Sequence, residues 1–202
     1  MSLPEAVSRA LRRRILNNEL PADTRLVEAK LATEFGVSRG TIRDAMRSLQ
    51  SEGLIAIVPR RYSIVTRMSA QDAEDVCYAR CVLEDASVVS GLPARENLIG
   101  GLRKALDEMA AGARADDLDA VVDSDTKFHA LLVGVCGRRR LAHLWSMLNS
   151  QMGALMRSSI ERQGIGLDEA VSRHQTLLDA VEAGDVERLR QAIRDHYLEG
   201  FD

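Results

Sequence analysis

Apolar residues recur at helical spacing along most of this chain, and the exceptions mark its boundaries. Over 4–18, Ala6, Ala10, Leu11 and Ile15 fall on one face, with Arg12, Arg13 and Arg14 nearby, which predicts a first helix. Leu20-Pro21-Ala22-Asp23 reads as a loop, and 27–35 as a second helix closed by Gly36. Gly36-Val37-Ser38 then joins it to a third. There Ile42, Ala45, Met46 and Leu49 recur at i, i+3, i+4 and i+7, Ser38 suits the N-cap, and Gly53 follows the end. Arg39, Arg43, Arg47 and Gln50 take another face of that helix, where a core has no use for them. At 54–58 and 62–65 two short apolar runs flank Pro59-Arg60-Arg61, the pattern of a β-hairpin.

Beyond a linker at 66–69 the period is helical throughout. Helices are predicted over 70–90, 94–112, 116–134, 138–163, 168–183 and 185–200, with breaks at Gly91/Pro93, Gly112, Gly134/Gly137, Gly164/Gly166 and Gly184. No internal repeat or low-complexity stretch interrupts them. The fold class is therefore mainly α: a winged helix-turn-helix domain over 1–67, followed by an all-α bundle over 70–202.

Charge separates the same two parts. Residues 1–67 hold 12 Lys/Arg against 7 Asp/Glu, and 68–202 hold 15 against 23. A basic first third on an acidic remainder suits one part that meets a polyanion and one that does not. A lone arginine stripe is most simply a solvated helix face. A helix, a tight turn and a helix with donors on its outer N-terminal face form instead the arrangement that enters a DNA groove, and Arg60 and Arg61 at the wing tip add a second basic contact, to backbone or minor groove. No apolar run reaches the length of a membrane span, and Met1-Ser2-Leu3-Pro4-Glu5 lacks a signal-peptide pattern, so a cytoplasmic protein without membrane partners is expected. Cys77, Cys81 and Cys136 lie in apolar surroundings and read as buried reduced thiols, with a thiol switch between Cys77 and Cys81 left open by their shared helix face.

Three of the four histidines have suggestive spacing. Asp125 and His129, at i and i+4, share a helix face. His174 lies ten residues before Gly184 and His196 twelve after it, so a helical hairpin turning at Gly184 brings both to similar height. One carboxylate and three imidazoles suit Zn²⁺, Ni²⁺, Mn²⁺ or Fe²⁺. The plainer alternative is a hydrogen-bonded Asp125–His129 pair beside unrelated histidines. His143 has no such partner and reads as a surface or packing residue. Four protein ligands close a tetrahedral ion, whereas a five- or six-coordinate ion keeps positions that a small carboxylate can take. No acid/base partner for hydrolysis stands out. Arg80 lies on or beside the apolar stripe of its helix, as an anion contact or as an i, i+4 partner of Glu84. Asn149 flanks the stripe of Leu141, Leu144, Trp145, Leu148 and Met152, and is a candidate for the wall of a pocket.

Taken together, Leu31-Ala32, Phe35 to Arg39, Thr41 to Ala45, Leu49, Glu52-Gly53-Leu54, Arg80 to Glu84, Asp125 to His129, His174, the 180–185 turn and His196 resemble the GntR family of bacterial transcription regulators, in the FadR-like branch with an FCD effector domain. The resemblance covers nearly the whole chain. It implies a homodimer on a pseudo-palindromic double-stranded DNA operator, a repressor in sign, responding to a small organic acid in the helical domain. It implies that Arg39 and Arg43 contact bases or phosphates with Ser38 and Thr41 in support, and that the family's metal set falls on Asp125, His129, His174 and His196. The chain departs from the pattern at Ala29-Lys30, where an arginine commonly reaches DNA, and at Arg60-Arg61-Tyr62, where the wing tip commonly carries glycine. Gly40, in the first turn of the third helix, either lets the backbone approach DNA closely or is simply tolerated. A metalloenzyme or metal sensor carrying a DNA-binding domain, and a purely structural metal, are the competing readings.

Overall fold

A computed structural model describes residues 2–58, 62–89, 92, 95–163 and 166–199. The chain divides into two compact units, 1–69 and 70–202.

In the first unit, α1 (Leu3–Leu16) is opened by a capping box, in which Ser2 and Glu5 each bond the other's backbone N–H. A two-residue strand β1 (Arg25–Leu26) precedes α2 (Glu28–Phe35), and α3 (Arg39–Ser51) is capped by Ser38 Oγ accepting from the Thr41 N–H at 3.1 Å. Strands β2 (Ile55–Val58) and β3 (Tyr62–Val65) pair antiparallel, with Ile55 opposite Val65 and Val58 opposite Tyr62. The hairpin expected from sequence is thus one edge of a three-stranded sheet ordered β1-β3-β2. Two residues are too few for a periodic signal; Arg25 and Leu26 become a strand because β3 offers them an edge opposite Ile64 and Ser63. Leu11, Leu26, Leu31, Ile42, Met46, Leu49, Ile55 and Val65 form a continuous core beneath α3. The wing tip, Pro59 to Arg61, lies outside the described residues.

The second unit is helical among the described residues: α4 (Ala70–Val88), α5 (Arg95–Arg114), α6 (Leu118–Gly134), α7 (Arg139–Ser146), α8 (Asn149–Gln163), α9 (Leu167–Ala183) and α10 (Val186–Leu198). Helix α6 packs on α5 and α4, α9 on α5 and α10, and α10 on α4. Leu102, Met109, Phe128, Leu132, Leu177, Val181, Leu189 and Ile193 fill the middle.

Two sequence expectations are corrected here. The single helix over 138–163 is two, broken at Met147-Leu148. No glycine or proline marks the break. Trp145 is drawn inward to Glu84 and Asn149 to Arg80, and the chain bends between these two anchors. Leu144, counted in an apolar stripe, is consequently 55% exposed. Gly112 likewise ends nothing, for α5 runs through it to Arg114. A Cβ at 112 would stand 3.0 Å from Ala120 Cβ and 3.1 Å from the Val121 nitrogen, so this glycine permits close approach of α6. Gly184 is the true turn. Its φ of +70° closes α9 in the left-handed conformation that glycine adopts without strain, and Asp185 then caps α10.

Candidate functional site

The first site is the outer face of α3. Burial of Ile42, Ala45, Met46 and Leu49 turns Arg39, Arg43, Arg47 and Gln50 outward. Arg39 has no partner among the described residues. Arg47 stands 3.6 Å from Asp44 one turn back. Arg43 Nε donates to both carboxylate oxygens of Glu28, at 2.9 and 3.0 Å. Ser38 Oγ and Thr41 Oγ1 lie 2.9 Å apart at the helix start, so the two residues expected to support the arginines also build the cap that holds the first turn. Arg60 and Arg61 fall outside the described residues.

The second site lies inside the helical unit. Asp125 and His129 on α6 meet His174 on α9 and His196 on α10, with one potential ligand atom from each all within 4.8 Å of one another. His129 Nε2 is 3.1 Å from the Nε2 of both His174 and His196, and Asp125 Oδ1 is 3.0 Å from His174 Nε2 and 3.7 Å from His129 Nε2. The outer nitrogens decide what these inner ones are. His129 Nδ1 lies 2.8 Å from Glu84 Oε2 and His174 Nδ1 lies 2.7 Å from the Ala170 carbonyl. Both partners accept only, so each Nδ1 is placed to donate, which leaves each Nε2 as the nitrogen turned inward and free to offer a lone pair to a cation. Three Nε2 atoms thus converge beside a carboxylate, an arrangement that needs a cation among them, either protons on the rings or a metal ion. The donor set of one carboxylate oxygen and imidazole nitrogens fits a divalent transition metal, whose ligand atoms at about 2.0–2.2 Å from the ion would stand at such mutual distances.

Burial pushes the Asp125 carboxyl up, but the close contact with His174 Nε2 and the positive charge that His129, His174 and His196 carry when protonated outweigh it and hold the acid well below the usual carboxylate range. His196 is driven well below the ordinary histidine value, first by burial and then by His174 and His129; its Nδ1 is buried without a partner among the described residues. His143, set aside from this group, is exposed on α7.

Glu84, Trp145 and Tyr197 were not singled out from sequence as site residues, yet they surround this cluster. Glu84 is fully buried. Besides His129, it accepts from Trp145 Nε1 at 2.7 Å and from the Tyr197 hydroxyl at 2.6 Å. Burial raises its carboxyl, and the adjacent His129, the Arg80 charge and the Tyr197 hydrogen bond bring it below the ordinary range. The signal was there to find: α4 buries 73, 76, 77, 80, 81, 84, 87 and 88, and that inward stripe contains an arginine and a glutamate. Arg80, 1% exposed, lies 3.8 Å over the Trp145 ring and donates to Asn149 Oδ1 at 2.7 Å and to Tyr197 at 3.3 Å. Its distance to Glu84 is 3.8 Å, so of the two alternatives drawn for it the i, i+4 pairing with Glu84 is present. Cys77 and Cys81 are free and buried, and burial raises the Cys77 thiol to about 11, which leaves little thiolate for a redox switch.

Comparison with known proteins agrees with both units. The gntR family of bacterial regulatory proteins matches residues 3–65 and the FCD domain matches 75–199. An uncharacterized HTH-type transcriptional regulator in an unstable DNA locus of Streptomyces ambofaciens is 32% identical over 201 residues, covering 95% of this chain and 80% of that one. The gluconate operon transcriptional repressor of Bacillus licheniformis is 24% identical over 93% of this chain and 79% of its own length. A crystal structure of a regulator named GntR from Rhodococcus sp. RHA1 superposes with a TM-score of 0.82 at 22% identity, covering 100% of this chain and 96% of that one, and shows the shared fold. With a winged helix-turn-helix that exposes its arginines and a helical unit matched along 75–199, this chain belongs to the gntR family of bacterial regulatory proteins, as a DNA-binding transcription regulator with an FCD domain rather than an enzyme.

Proposed function

We propose that this regulator is a homodimeric repressor that places α3 in successive major grooves of a pseudo-palindromic operator and holds a divalent transition metal (Zn, Ni, Mn or Fe) with Asp125, His129, His174 and His196. Arg39, Arg43 and Arg47 contact the DNA with Ser38 and Thr41 in support, and Arg60 and Arg61 of the wing add basic contacts. Helix α4 leaves Tyr78 and Val82 exposed, and Val89 just beyond its end is exposed as well, a surface suited to cover by the second copy. Acting on the chromosome, the protein works in the cytoplasm.

The observation that carries the metal is the convergence of three imidazole nitrogens on one another beside the Asp125 carboxylate. A metal bound there supplies a Lewis-acidic point for an oxygen of a small organic acid. Glu84 keeps His129 in the tautomer that offers Nε2 inward. Arg80, fixed by Trp145, Tyr197 and Asn149, places a positive charge next to the cluster, with the Asn149 amide bonded to it. An acid that binds one dimer geometry better than another shifts the spacing of the two α3 helices and thereby operator affinity.

A second reading has its own observation. Arg80 is already satisfied and almost wholly buried, so an effector would have to displace its bond to Asn149; this favours a metal that only cements the helices or is itself the signal. Elemental mass spectrometry of wild type and His174→Ala tests the site. About one transition metal per chain in the wild type, lost in the variant, is expected; none after incubation with zinc, nickel or manganese refutes it. Operator release by organic acids in the metal-loaded protein then separates the effector reading from the structural one, and operator affinity that tracks free metal identifies a sensor.

A further inference from the structure

Glu28 is an odd residue to find against the face of α3. It is the first residue of α2, and its carboxylate lies against Arg43, on the face proposed to meet DNA, where it repels phosphate. An acid in a first turn suits the helix dipole, but that role asks only for charge. It does not account for both oxygens converging on a single atom, Nε of Arg43, at 2.9 and 3.0 Å. Nor does stability, since both side chains are solvent-exposed, 56% for Arg43 and 36% for Glu28, and such pairs contribute little to folding.

The bond does something specific to the guanidinium. It engages the Nε edge, and Nη1 and Nη2 have no partner among the described residues. A guanidinium reads guanine by two parallel N–H bonds, and a long flexible side chain loses rotamer freedom to do so. Anchoring Nε leaves the outer nitrogens available while removing much of that freedom beforehand. We propose that Glu28 is a specificity-determining positioning residue, which holds Arg43 by Nε so that its terminal nitrogens meet one base of each operator half-site. This rests on the reading that α3 enters the major groove. Glu28 also repels phosphate wherever that base is absent, which lowers affinity for other sequences.

The test uses full-length wild type, Glu28→Ala, Glu28→Gln and Arg43→Ala. The probes are the tightest duplex that the wild type selects from a random-sequence library and a shuffled duplex of the same composition, at one fixed salt concentration. Glu28→Ala is expected to lower the ratio of the two affinities about fivefold to twentyfold. The loss comes from weaker binding of the selected duplex, with binding of the shuffled one unchanged or tighter. A fresh selection with this variant relaxes at one base per half-site, the base that Arg43→Ala also relaxes. Glu28→Gln keeps an oxygen that accepts the Nε–H and recovers most of the ratio, which a role through charge alone does not allow. An unchanged ratio in Glu28→Ala overturns the proposal. Equal tightening on both duplexes also overturns it and makes Glu28 a latch that competes with DNA. If Arg43→Ala keeps the full ratio, Arg43 does not read DNA and the reading beneath falls as well; if only Arg43→Ala loses it, the role of Glu28 alone is refuted.

Discussion

Glu84→Gln tests the interior of the helical unit most sharply, because it removes one charge without changing shape. The carboxylate accepts from His129, Trp145 and Tyr197 and stands 3.8 Å from the Arg80 guanidinium. An amide replaces one oxygen by an N–H₂ group, which must face at least one of those donors. Each buried donor left unpaired costs about 1–3 kcal/mol. Arg80 also loses its nearest carboxylate while remaining stacked on Trp145, and breaking a buried charged pair costs about 3–5 kcal/mol. These overlap rather than add, so a loss of about 3–5 kcal/mol is expected, and roughly 10–20 °C in Tm for a unit of this size. That is a large share of the ~5–15 kcal/mol by which domains are stable, and Glu84→Ala should leave the unit unfolded. Metal affinity should fall about 10- to 100-fold, because His129 is no longer held in one tautomer. Thermal melts by circular dichroism after chelation give the first quantity, and competition with a chromophoric zinc chelator gives the second. Trp145 is the only tryptophan and touches Glu84 directly, so its fluorescence reports the substitution in the folded state. A Glu84→Gln protein that melts within about 2 °C of wild type and binds zinc as tightly would refute the reasoning.

Gly112→Ala should destabilise the helical unit by about 1–2 kcal/mol, since overpacking against Ala120 and the Val121 backbone exceeds the helix propensity gained; a melt equal to or above wild type would show that α6 can yield. Gly40→Ala is its control: the added Cβ meets only Ser38 Oγ at 3.5 Å, so the first unit should be unchanged or more stable by up to about 1 kcal/mol. Acid should weaken the chelated protein through His196. Its folded pKa lies well below the unfolded value of about 6.5, so the unfolded chain takes up the proton first, and stability is lost as pH falls below about 6.5, by up to ~1.4 kcal/mol per pH unit for that proton. Asp125 and Glu84, with depressed folded values, add their losses only below about pH 4. Denaturant titrations of the chelated wild type at pH 7.5, 6.5 and 5.5 test this, and a flat dependence over that range, or the same slope in His196→Ala, would count against it.

Local rules in the sequence determined a good deal. The period of Ile42, Ala45, Met46 and Leu49 together with the Ser38 cap defines α3 and forces its arginines outward, because burial and capping depend on residues a few positions apart. The ten- and twelve-residue offsets from Gly184 brought His174 and His196 to one height, since a helical hairpin converts sequence distance into length along its axis. What escaped local rules is whatever one element imposes on another. The strand at Arg25–Leu26 exists because β3 offers an edge, the break between α7 and α8 because Trp145 and Asn149 answer to α4, and the passage of α5 through Gly112 because α6 lies against it. The same holds for Glu84, which becomes the support of His129 only when α4, α6, α7 and α10 close around it, and for Glu28, whose partner lies fifteen residues away on the next helix. Hydrogen-bond partners far apart in sequence leave no periodic trace along the chain, so only the packed structure could assign them.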